Sequence, residues 1–481
     1  MREKHPIVAQ SVSIRDALVV MDAFAKGICY VVEDLKIIGL LTDGDIRRAL
    51  LRGASIDDTV DSVMNEHFVS LSIDSDTKII RERFSTRIRH IPLVEENGVL
   101  VDVADSSGNF RIPVLEPKML GNELKYVTEC IESNWISSQG KYVRSFEKVF
   151  EEFHPGMQAL AVSNGSVALH LALVSLGVTQ GDEVIVPNIT FAASANAIIH
   201  AGAHPVFCEI DKDSWCIDPV EAEKLITPNT KAIMPVHLYG QPCNMHALVE
   251  LCRVHQLFLV EDCAEALGSE WKGRRVGTFG DAATFSFFGN KTISTGEGGM
   301  VLFRQQNYAK HARILRDHGM SAEKRYWHDR VGYNYRLTNL QAAIGVAQME
   351  KFSLILDKKL RISIMYKDLL NGIGAIEKLP QEPFHSLHSN WLFSIVLTKG
   401  VDRDFVMSEL LCRGVDTRPF FYPLNQMPPY RHYRGSLDFT YSDSISSKGL
   451  SLPTSLALTD EEMISITDSL RDILQDYDAQ T

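Results

Sequence analysis

The chain has 481 residues, too many for one ordinary hydrophobic core, so we expect two or three domains. Hydrophobic residues make up 45% of the sequence and charged residues 23%, a balance typical of soluble globular proteins. The net charge of -12 is spread along the chain, which argues against a nucleic-acid-binding groove and against binding to an anionic membrane surface.

Cysteine usage and hydropathy predict the compartment. The 8 cysteines are scattered without a CxxC pair or a cluster with histidine at zinc spacing, so we expect no disulfide framework and no metal site. The N-terminal residues lead into no apolar signal segment, and no run of about 18 uncharged apolar residues could form a spanning helix. We therefore expect a cytoplasmic protein that is neither exported nor inserted into a membrane.

Residues 1 to about 105 contain a weak internal repeat of one small unit. The first copy has a helix-like stretch, two apolar strands and a basic helix, at 13–24, 28–32, 37–41 and 46–52. The second copy shows related signals at 77–84, 90–94 and 98–101. Two half-cores of this size need each other to bury enough surface, so the pattern predicts a paired α+β module at residues 1–108.

This arrangement resembles a pair of CBS domains, modules that commonly hold an adenine nucleotide between the two copies. The ribose and phosphate contacts of that family fall on a Gly-x-x-Thr-x-x-Asp motif, which Gly39, Thr42 and Asp45 match. The second copy lacks the hydroxyl and the carboxylate, because its corresponding residues are Gly98, Val101 and Ala104. The resemblance implies at most one intact half-site. The alternative is that Thr42 and Asp45 only cap the following helix, and a purely structural module stays open.

After the proline-containing linker at 112–117, strand and helix signals alternate to the end of the chain, which predicts an α/β fold. We place a large domain at 109–350 and a small C-terminal domain at 351–481. The first strand signal, 159–162, passes through a glycine turn with Gly165 and Ser166 into a buried helix. Such a helix N-terminus can bind an anion, although many α/β proteins have this corner for topology alone.

Three further strand ends carry side chains suited to binding a flat, charged ligand. Phe191 follows the strand at 183–186 and can lie against a ring, or simply pack in the core. Asp262 stands just past a buried strand, where open α/β sheets bind ligands, or caps a helix. The fourth strand end, 283–287, carries Ser286. Lys291 follows five residues later between aromatic residues and a glycine-rich turn, where desolvation lowers the pKa of an amine.

Together these residues are the parts of a site for pyridoxal 5'-phosphate (PLP). Lys291 would form the Schiff base with the cofactor and then move the proton as general base and acid. Asp262 would keep the pyridine nitrogen protonated. Gly165, Ser166 and Ser286 would hold the phosphate.

From about residue 113 onward the chain resembles the DegT/DnrJ/EryC1/StrS family of sugar-nucleotide aminotransferases. These are fold-type-I PLP enzymes that aminate a keto sugar with glutamate. The resemblance rests on six segments: 136–140, 164–166, 190–191, 261–262, 289–292 and 295–299. It implies a large domain with a mixed, mainly parallel sheet, a small α+β domain, and a homodimer with shared active sites. The family's ring-stacking role falls on Phe191, and its cross-dimer phosphate contact falls on Asn334.

Finer details resemble the perosamine synthase branch, which aminates GDP-4-keto-6-deoxymannose at C4 for O-antigen or other surface glycans. Glu265, near the cofactor's O3′, is typical of this branch, whereas many relatives carry glutamine there. Asn425 departs from the histidine that the family often has. The resemblance implies substrate contacts at Ser137, His328 and Arg418, and for the last two a solvated surface role stays open.

Lysine at 291 favours transamination, because the 3-dehydratases that resemble these enzymes carry histidine there. Two alternatives stay open. The substrate could be a UDP- or dTDP-linked keto sugar, as in a nonulosonic-acid pathway. Alternatively, the chain could be a nucleotide-sensing regulatory protein built on an aminotransferase scaffold.

Overall fold

The computed structural model describes residues 5–24, 26–75, 79–80, 83–85, 88–106, 112–321, 323–382 and 386–480. Internal contacts divide the chain into two compact units. The first comprises residues 1–112 with 405–416, and the second comprises residues 113–404 with 417–481. Among the described residues, none of the helices combines the length and apolarity that a membrane crossing demands.

The first unit contains two three-stranded sheets with the same topology. The first sheet is formed by β1 (Ile7–Ala9), β2 (Ile28–Glu33) and β3 (Lys36–Thr42), together with helices α1 (Ile14–Ala23) and α2 (Asp43–Leu51). The second sheet is formed by β4 (Leu71–Ser72), β5 (His90–Val94) and β6 (Leu100–Asp105). In each sheet the first strand runs parallel to the second, and the second runs antiparallel to the third. This shared topology matches the predicted repeat, and the helix predicted at 77–84 lies partly outside the described residues.

The second unit contains the remaining strands and, apart from most of α12, the remaining helices. Its strands are β7 (Gln158–Val162), β8 (Glu183–Pro187), β9 (His204–Cys208), β10 (Thr230–Ile233), β11 (Phe258–Asp262), β12 (Glu270–Trp271), β13 (Arg274–Arg275), β14 (Ala282–Ser286), β15 (Gly299–Phe303), β16 (Ile376–Lys378), β17 (Phe393–Leu397), β18 (Arg418–Pro419) and β19 (Gly449–Leu452).

The helices that follow α2 along the chain are α3 (Glu123–Glu132), α4 (Lys141–Phe153), α5 (Gly165–Ser175), α6 (Ala193–His200), α7 (Pro219–Lys224), α8 (Met245–His255), α9 (Gln306–Arg316), α10 (Asn339–Glu350), α11 (Phe352–Leu370), α12 (Arg403–Cys412), α13 (Thr440–Lys448) and α14 (Asp460–Gln480). Residues 405–412 of α12 belong to the first unit by their contacts.

A seven-stranded sheet in the order β7-β15-β14-β11-β10-β8-β9 forms the centre of the second unit. Its strands are parallel except for β15, which runs antiparallel to both of its neighbours. The sheet is therefore mixed and mainly parallel, as predicted. A separate antiparallel sheet has the order β16-β17-β19-β18. The predicted domain boundary at residue 350 stays a prediction.

The sheet is covered on both faces, which explains its continuous apolar strands. In β7, Leu160 and Val162 pack into one buried cluster, whereas Ala159 and Ala161 pack into another. Successive side chains of a strand point to opposite faces, so both faces must exclude water. Helix α5 is buried nearly all round, as its almost uninterrupted apolar sequence requires.

The parallel strands bring several predicted residues to one edge of the sheet. The carboxyl ends of β7, β8, β11 and β14 share this edge, because parallel strands point the same way. The antiparallel β15 begins there, with Gly299 paired to both Val162 and Ser286. Asp262 is the last residue of β11, one position earlier than the predicted place just past the strand.

Glu261, the neighbour of Asp262 in β11, is a fully buried carboxylate that fixes a turn. It accepts hydrogen bonds from the backbone N–H groups of Gly277, Phe279 and Gly280 at 2.7–2.8 Å. His237 donates to it through Nε2 at 3.3 Å. Burial alone would raise the pKa of Glu261, but these hydrogen bonds and the adjacent histidine hold it below its ordinary value.

We predict that Glu261→Gln lowers the free energy of unfolding by about 3 kcal/mol, because the amide cannot satisfy all the donors that meet this carboxylate. Urea denaturation followed by circular dichroism measures the change. Glu250→Gln on α8 is the control, since its carboxylate pairs with Arg253 on an exposed helix face. Equal stability of the two variants would contradict the structural role of Glu261.

Candidate active site

A cavity of about 850 Å³ opens at the edge of the sheet where the parallel strands end. Most of the residues that the sequence predicted for cofactor or substrate binding line it. They are Gly165, Ser166, Phe191, Asp262, Glu265, Ser286, Lys291 and Arg418. The cavity belongs entirely to the second unit.

Lys291 lies in the turn that follows β14, with 13% of its side chain exposed. Its Nζ is 3.8 Å from Oε1 of Glu265 and 4.0 Å from the centre of the Trp391 ring. Burial lowers the pKa of Lys291, although the carboxylates of Glu265 and Asp262 oppose the shift and Arg418 adds to it. A lowered pKa increases the fraction of free amine, which is the form that reacts with a carbonyl carbon.

Asp262 is a buried carboxylate with both oxygens hydrogen-bonded. Ser194 Oγ donates to Oδ2 at 2.8 Å, and the backbone N–H of Ala264 donates to Oδ1 at 3.1 Å. Burial raises its pKa, while these two donors and the nearby Lys291 oppose the shift. A cation placed against this carboxylate would be stabilised by it, since little water is available to screen the charge.

Glu265 follows Asp262 by three residues and is also buried. Its Oε2 accepts a hydrogen bond of 2.9 Å from the backbone N–H of Tyr239. Burial raises the pKa of Glu265 to about 7, against the opposing attraction of Lys291 and that hydrogen bond. The carboxyl group can therefore hold or release a proton near neutral pH, next to the amine of Lys291.

The predicted anion corner is formed where α5 begins. The side chain of Asn164 caps the helix by accepting from the Val167 N–H at 3.0 Å. A Cβ atom at Gly165 would lie 2.7 Å from Cβ of Ser286, so only glycine fits between α5 and the end of β14. This close approach brings Ser166, Ser286 and the positive end of the helix dipole to one wall of the cavity.

Phe191 presents a large aromatic ring to the cavity, and 59% of the residue is exposed. Its ring centre lies 6.1 Å from that of Phe421. The alternative of simple core packing is therefore wrong for this side chain. A flat ligand that covers the exposed ring would bury its apolar surface.

Three predicted residues are not among those that line the cavity. Ser137, His328 and Asn334 are all exposed in the single chain. His328 contacts the backbone oxygen of His318 through Nδ1 at 2.9 Å, and Asn334 Oδ1 accepts from Arg336 at 3.3 Å. Their predicted roles in binding substrate or a partner's cofactor stay predictions.

In the first unit, Thr42 and Asp45 form a capping box at the start of α2. Thr42 Oγ1 accepts from the Asp45 N–H at 3.2 Å, and Asp45 Oδ2 accepts from the Thr42 N–H at 3.0 Å. Arg48 donates to the other carboxylate oxygen at 2.5 Å. The helix-capping alternative is therefore realised in the structure, and binding of an adenine nucleotide by these residues stays a prediction.

Ser194 and Trp391 are among the residues of the cavity wall that the sequence interpretation missed, and they contact Asp262 and Lys291 respectively. Ser194 lies on α6, three residues after Phe191. A hydroxyl group among small apolar residues, so close to a strand end, was a signal that it could donate a hydrogen bond to a neighbouring strand end, as it does to Asp262. Trp391 lies 100 residues beyond Lys291 in the sequence, just before β17. No local pattern connects such distant positions, so only the fold reveals the contact.

The site is thus a buried lysine beside two carboxylates at the carboxyl edge of a mainly parallel seven-stranded sheet, an arrangement suited to an enzyme that reacts through an amine. The model of the DegT/DnrJ/EryC1/StrS aminotransferase family matches residues 117–471, and the CBS domain model matches residues 1–52. The chain belongs to the DegT/DnrJ/EryC1/StrS aminotransferase family, and a CBS domain precedes the family region.

Individual relatives agree with this assignment. The chain is 47% identical over 362 residues to the GDP-perosamine synthase of Vibrio cholerae, covering 75% of this chain and 98% of the relative. It is 43% identical over 365 residues to the GDP-perosamine synthase of Escherichia coli O157:H7, covering 76% and 99%. Among solved structures, S. venezuelae DesV in complex with a ketimine intermediate is 33% identical, with a TM-score of 0.71, and covers 76% of this chain and 99% of that chain.

We predict that Glu265 makes the stability of the cofactor-free protein fall as pH rises. Its pKa is raised from 4.5 to about 7 on folding, so the folded protein keeps a proton that the unfolded chain has already lost. Between pH 4.5 and 7 the wild type should lose about 3 kcal/mol of stability relative to Glu265→Gln, which has no such proton. Urea denaturation of both proteins across this pH range measures the difference. A difference that does not change with pH would contradict the prediction.

Proposed function

We propose that this protein uses PLP to transfer the amino group of L-glutamate to C4 of a GDP-linked 4-keto-6-deoxy sugar. The observation that carries the proposal is the buried amine of Lys291, which lies 3.8 Å from Glu265 in a cavity that also contains Asp262. The choice of a GDP-linked substrate is supported by the 43–47% identity to GDP-perosamine synthases over nearly their full length. We further propose that the product enters surface glycan synthesis and that the enzyme works in the cytoplasm.

The residues of the cavity fit PLP. Asp262 would pair with the protonated ring nitrogen, and Phe191 would cover one face of the ring. Gly165, Ser166 and Ser286 would hold the phosphate at the start of α5. When bound, PLP supplies a carbonyl carbon that takes up amines and a ring that accepts the electron pair released at the donor carbon.

Lys291 would carry the cofactor and move a proton through its Nζ. Burial lowers the pKa of this amine, which favours the unprotonated form that can accept a proton and return it later. Glu265, 3.8 Å away, would hold a proton near O3′ of the cofactor. Arg418 would bind an anionic group, either the carboxylate of glutamate or the diphosphate of the sugar nucleotide.

The remaining predicted contacts suit a shared site in a homodimer. Ser137, His328 and Asn334 are exposed polar residues outside the cavity of their own chain. We propose that Asn334 contacts the phosphate bound by the partner subunit, and that Ser137 and His328 contact the sugar nucleotide. This arrangement would leave each active site incomplete in a monomer.

We predict that the PLP-loaded enzyme, given L-glutamate and a panel of GDP-, UDP- and dTDP-linked 4-keto-6-deoxy sugars, converts the GDP-linked substrate fastest. Mass spectrometry of the products identifies the amino sugar by the replacement of its carbonyl oxygen. Faster conversion of a UDP- or dTDP-linked sugar would overturn the substrate assignment while leaving the reaction class intact.

Two variants test the reaction class in the same assay. Lys291→Ala should form no product from any member of the panel and should retain the native circular dichroism. Lys310→Ala, which removes an exposed lysine on α9, should match the wild type. If Lys291→Ala turned over substrate at the wild-type rate, the proposed role of the lysine would be wrong.

We predict that subunits of Lys291→Ala and Asn334→Asp, each nearly inactive alone, regain activity when mixed. A mixed dimer has one site with the intact Lys291 of one chain and the intact Asn334 of the other. Random exchange therefore restores about a quarter of wild-type activity. Activity is measured after the subunits are exchanged in mild denaturant and refolded. An inactive mixture, in which mass spectrometry confirms mixed dimers, would show that Asn334 does not act across the dimer.

A further inference from the structure

Lys359 on α11 is a lysine whose side chain is almost completely buried, at 1% exposure. Its Nζ donates to the backbone oxygen of Thr454 at 2.7 Å and to that of Trp391 at 3.3 Å. The hydroxyl oxygen of Thr454 is also 3.3 Å away. Within the described residues it forms no ion pair with a carboxylate. Burying an ammonium group costs free energy, and the three oxygen contacts only partly replace the lost water. The burial of Lys359 therefore needs a structural or functional reason.

One of those contacts fixes Trp391, whose indole lies against Lys291. The Nε1–H of Trp391 donates to the backbone oxygen of Asn290 at 2.7 Å, immediately before Lys291. Lys359 therefore holds the main chain of Trp391, while Asn290 holds the far end of its ring. Between these two anchors, the ring face is 4.0 Å from Nζ of Lys291.

The face of an indole ring is electron-rich and attracts a cation within about 6 Å, most strongly where water is excluded. The attraction acts on the ammonium form of a lysine and not on the free amine. Other groups that act on the charge of Lys291 are Glu265 and Asp262, which favour the ammonium form, and Arg418, which disfavours it. When the carboxyl group of Glu265 is protonated, the indole and the carboxylate of Asp262 still favour the ammonium form.

We propose that Trp391 is a further catalytic residue, which stabilises the ammonium form of Lys291 through its ring face, and that Lys359 is a positioning residue that holds Trp391 in place. This inference rests on the proposed proton-transfer role of Lys291. In that role the lysine must accept a proton while only 13% of its side chain is exposed to water. The indole then takes over part of the stabilisation that water would otherwise supply.

The test measures the pKa of Lys291 directly in cofactor-free protein. Acetic anhydride reacts with the free amine alone, so the rate at which the Lys291 peptide is acetylated, followed by mass spectrometry across a pH series, reports the pKa. Trp391→Leu should lower that pKa by about one unit, which raises the acetylation rate about tenfold at a pH below the pKa. Trp391→Phe keeps a ring face but lacks the Nε1–H donor, and it should give a smaller shift in the same direction.

Lys359→Met removes the ammonium group while keeping a long apolar side chain. It should lower the pKa of Lys291 by less than Trp391→Leu does, because the indole loses one of its two anchors. Lys358→Met is the matched control on the same helix, since Lys358 is less buried and forms none of these contacts. Its acetylation profile should match the wild type.

The outcomes separate the possibilities. If both tryptophan variants are folded and leave the pKa of Lys291 unchanged, the role of the indole is overturned. A raised pKa overturns it as well, since it would mean that the ring acts only by excluding water. An unchanged pKa in Lys359→Met, beside a lowered one in Trp391→Leu, removes Lys359 from the proposal. None of these measurements requires turnover, so a failed sugar-nucleotide assay leaves them interpretable.

Discussion

The active site depends on keeping three ionisable groups close together and away from water. Asp262, Glu265 and Lys291 each lose hydration in the cavity, and a buried charge is tolerated only where other groups replace the lost water. The protein supplies those groups from separate parts of the chain. Ser194 binds Asp262, the backbone of Tyr239 binds Glu265, and Trp391 lies against Lys291. The shared edge of the central sheet brings the end of β11 and the turn after β14 together, whereas Trp391 comes from the segment just before β17 in the other sheet.

This arrangement makes the protonation states of the three groups depend on one another. The carboxylates raise the pKa of Lys291, and the ammonium of Lys291 lowers the pKa of both carboxylates. A proton that moves to one group therefore changes the affinity of the other two groups for protons. The titration belongs to the cluster rather than to any single residue.

The sequence alone was enough to predict the parts of the site that directly follow strands. The ends of β7, β8, β11 and β14 were predicted within one or two residues, because continuous apolar runs followed by glycine or polar residues are a strong local signal. The predicted mixed, mainly parallel sheet is confirmed by the strand order.

Contacts between distant segments could not be predicted in this way. Trp391 meets Lys291 only because β17 and the turn after β14 come together in the fold, and Lys359 joins them from α11. The pairing of Thr42 with Asp45 was visible as a possible cap, but the sequence could not decide between a cap and a ligand contact. The same oxygen atoms can serve either purpose, and in the folded chain they bind each other's backbone N–H groups.

That capping box has a consequence for any small molecule that would bind at the first copy of the repeat. The oxygens of Thr42 and Asp45 are already bonded within the chain, and Arg48 neutralises the carboxylate. A ligand that needs these atoms must compete with the end of α2 for them. Giving up a cap costs about 1 kcal/mol, which weakens such a ligand about fivefold. Binding of a ligand to these atoms would loosen the start of α2. As more sites are occupied by the ligand, the first turn of this helix would therefore become less ordered.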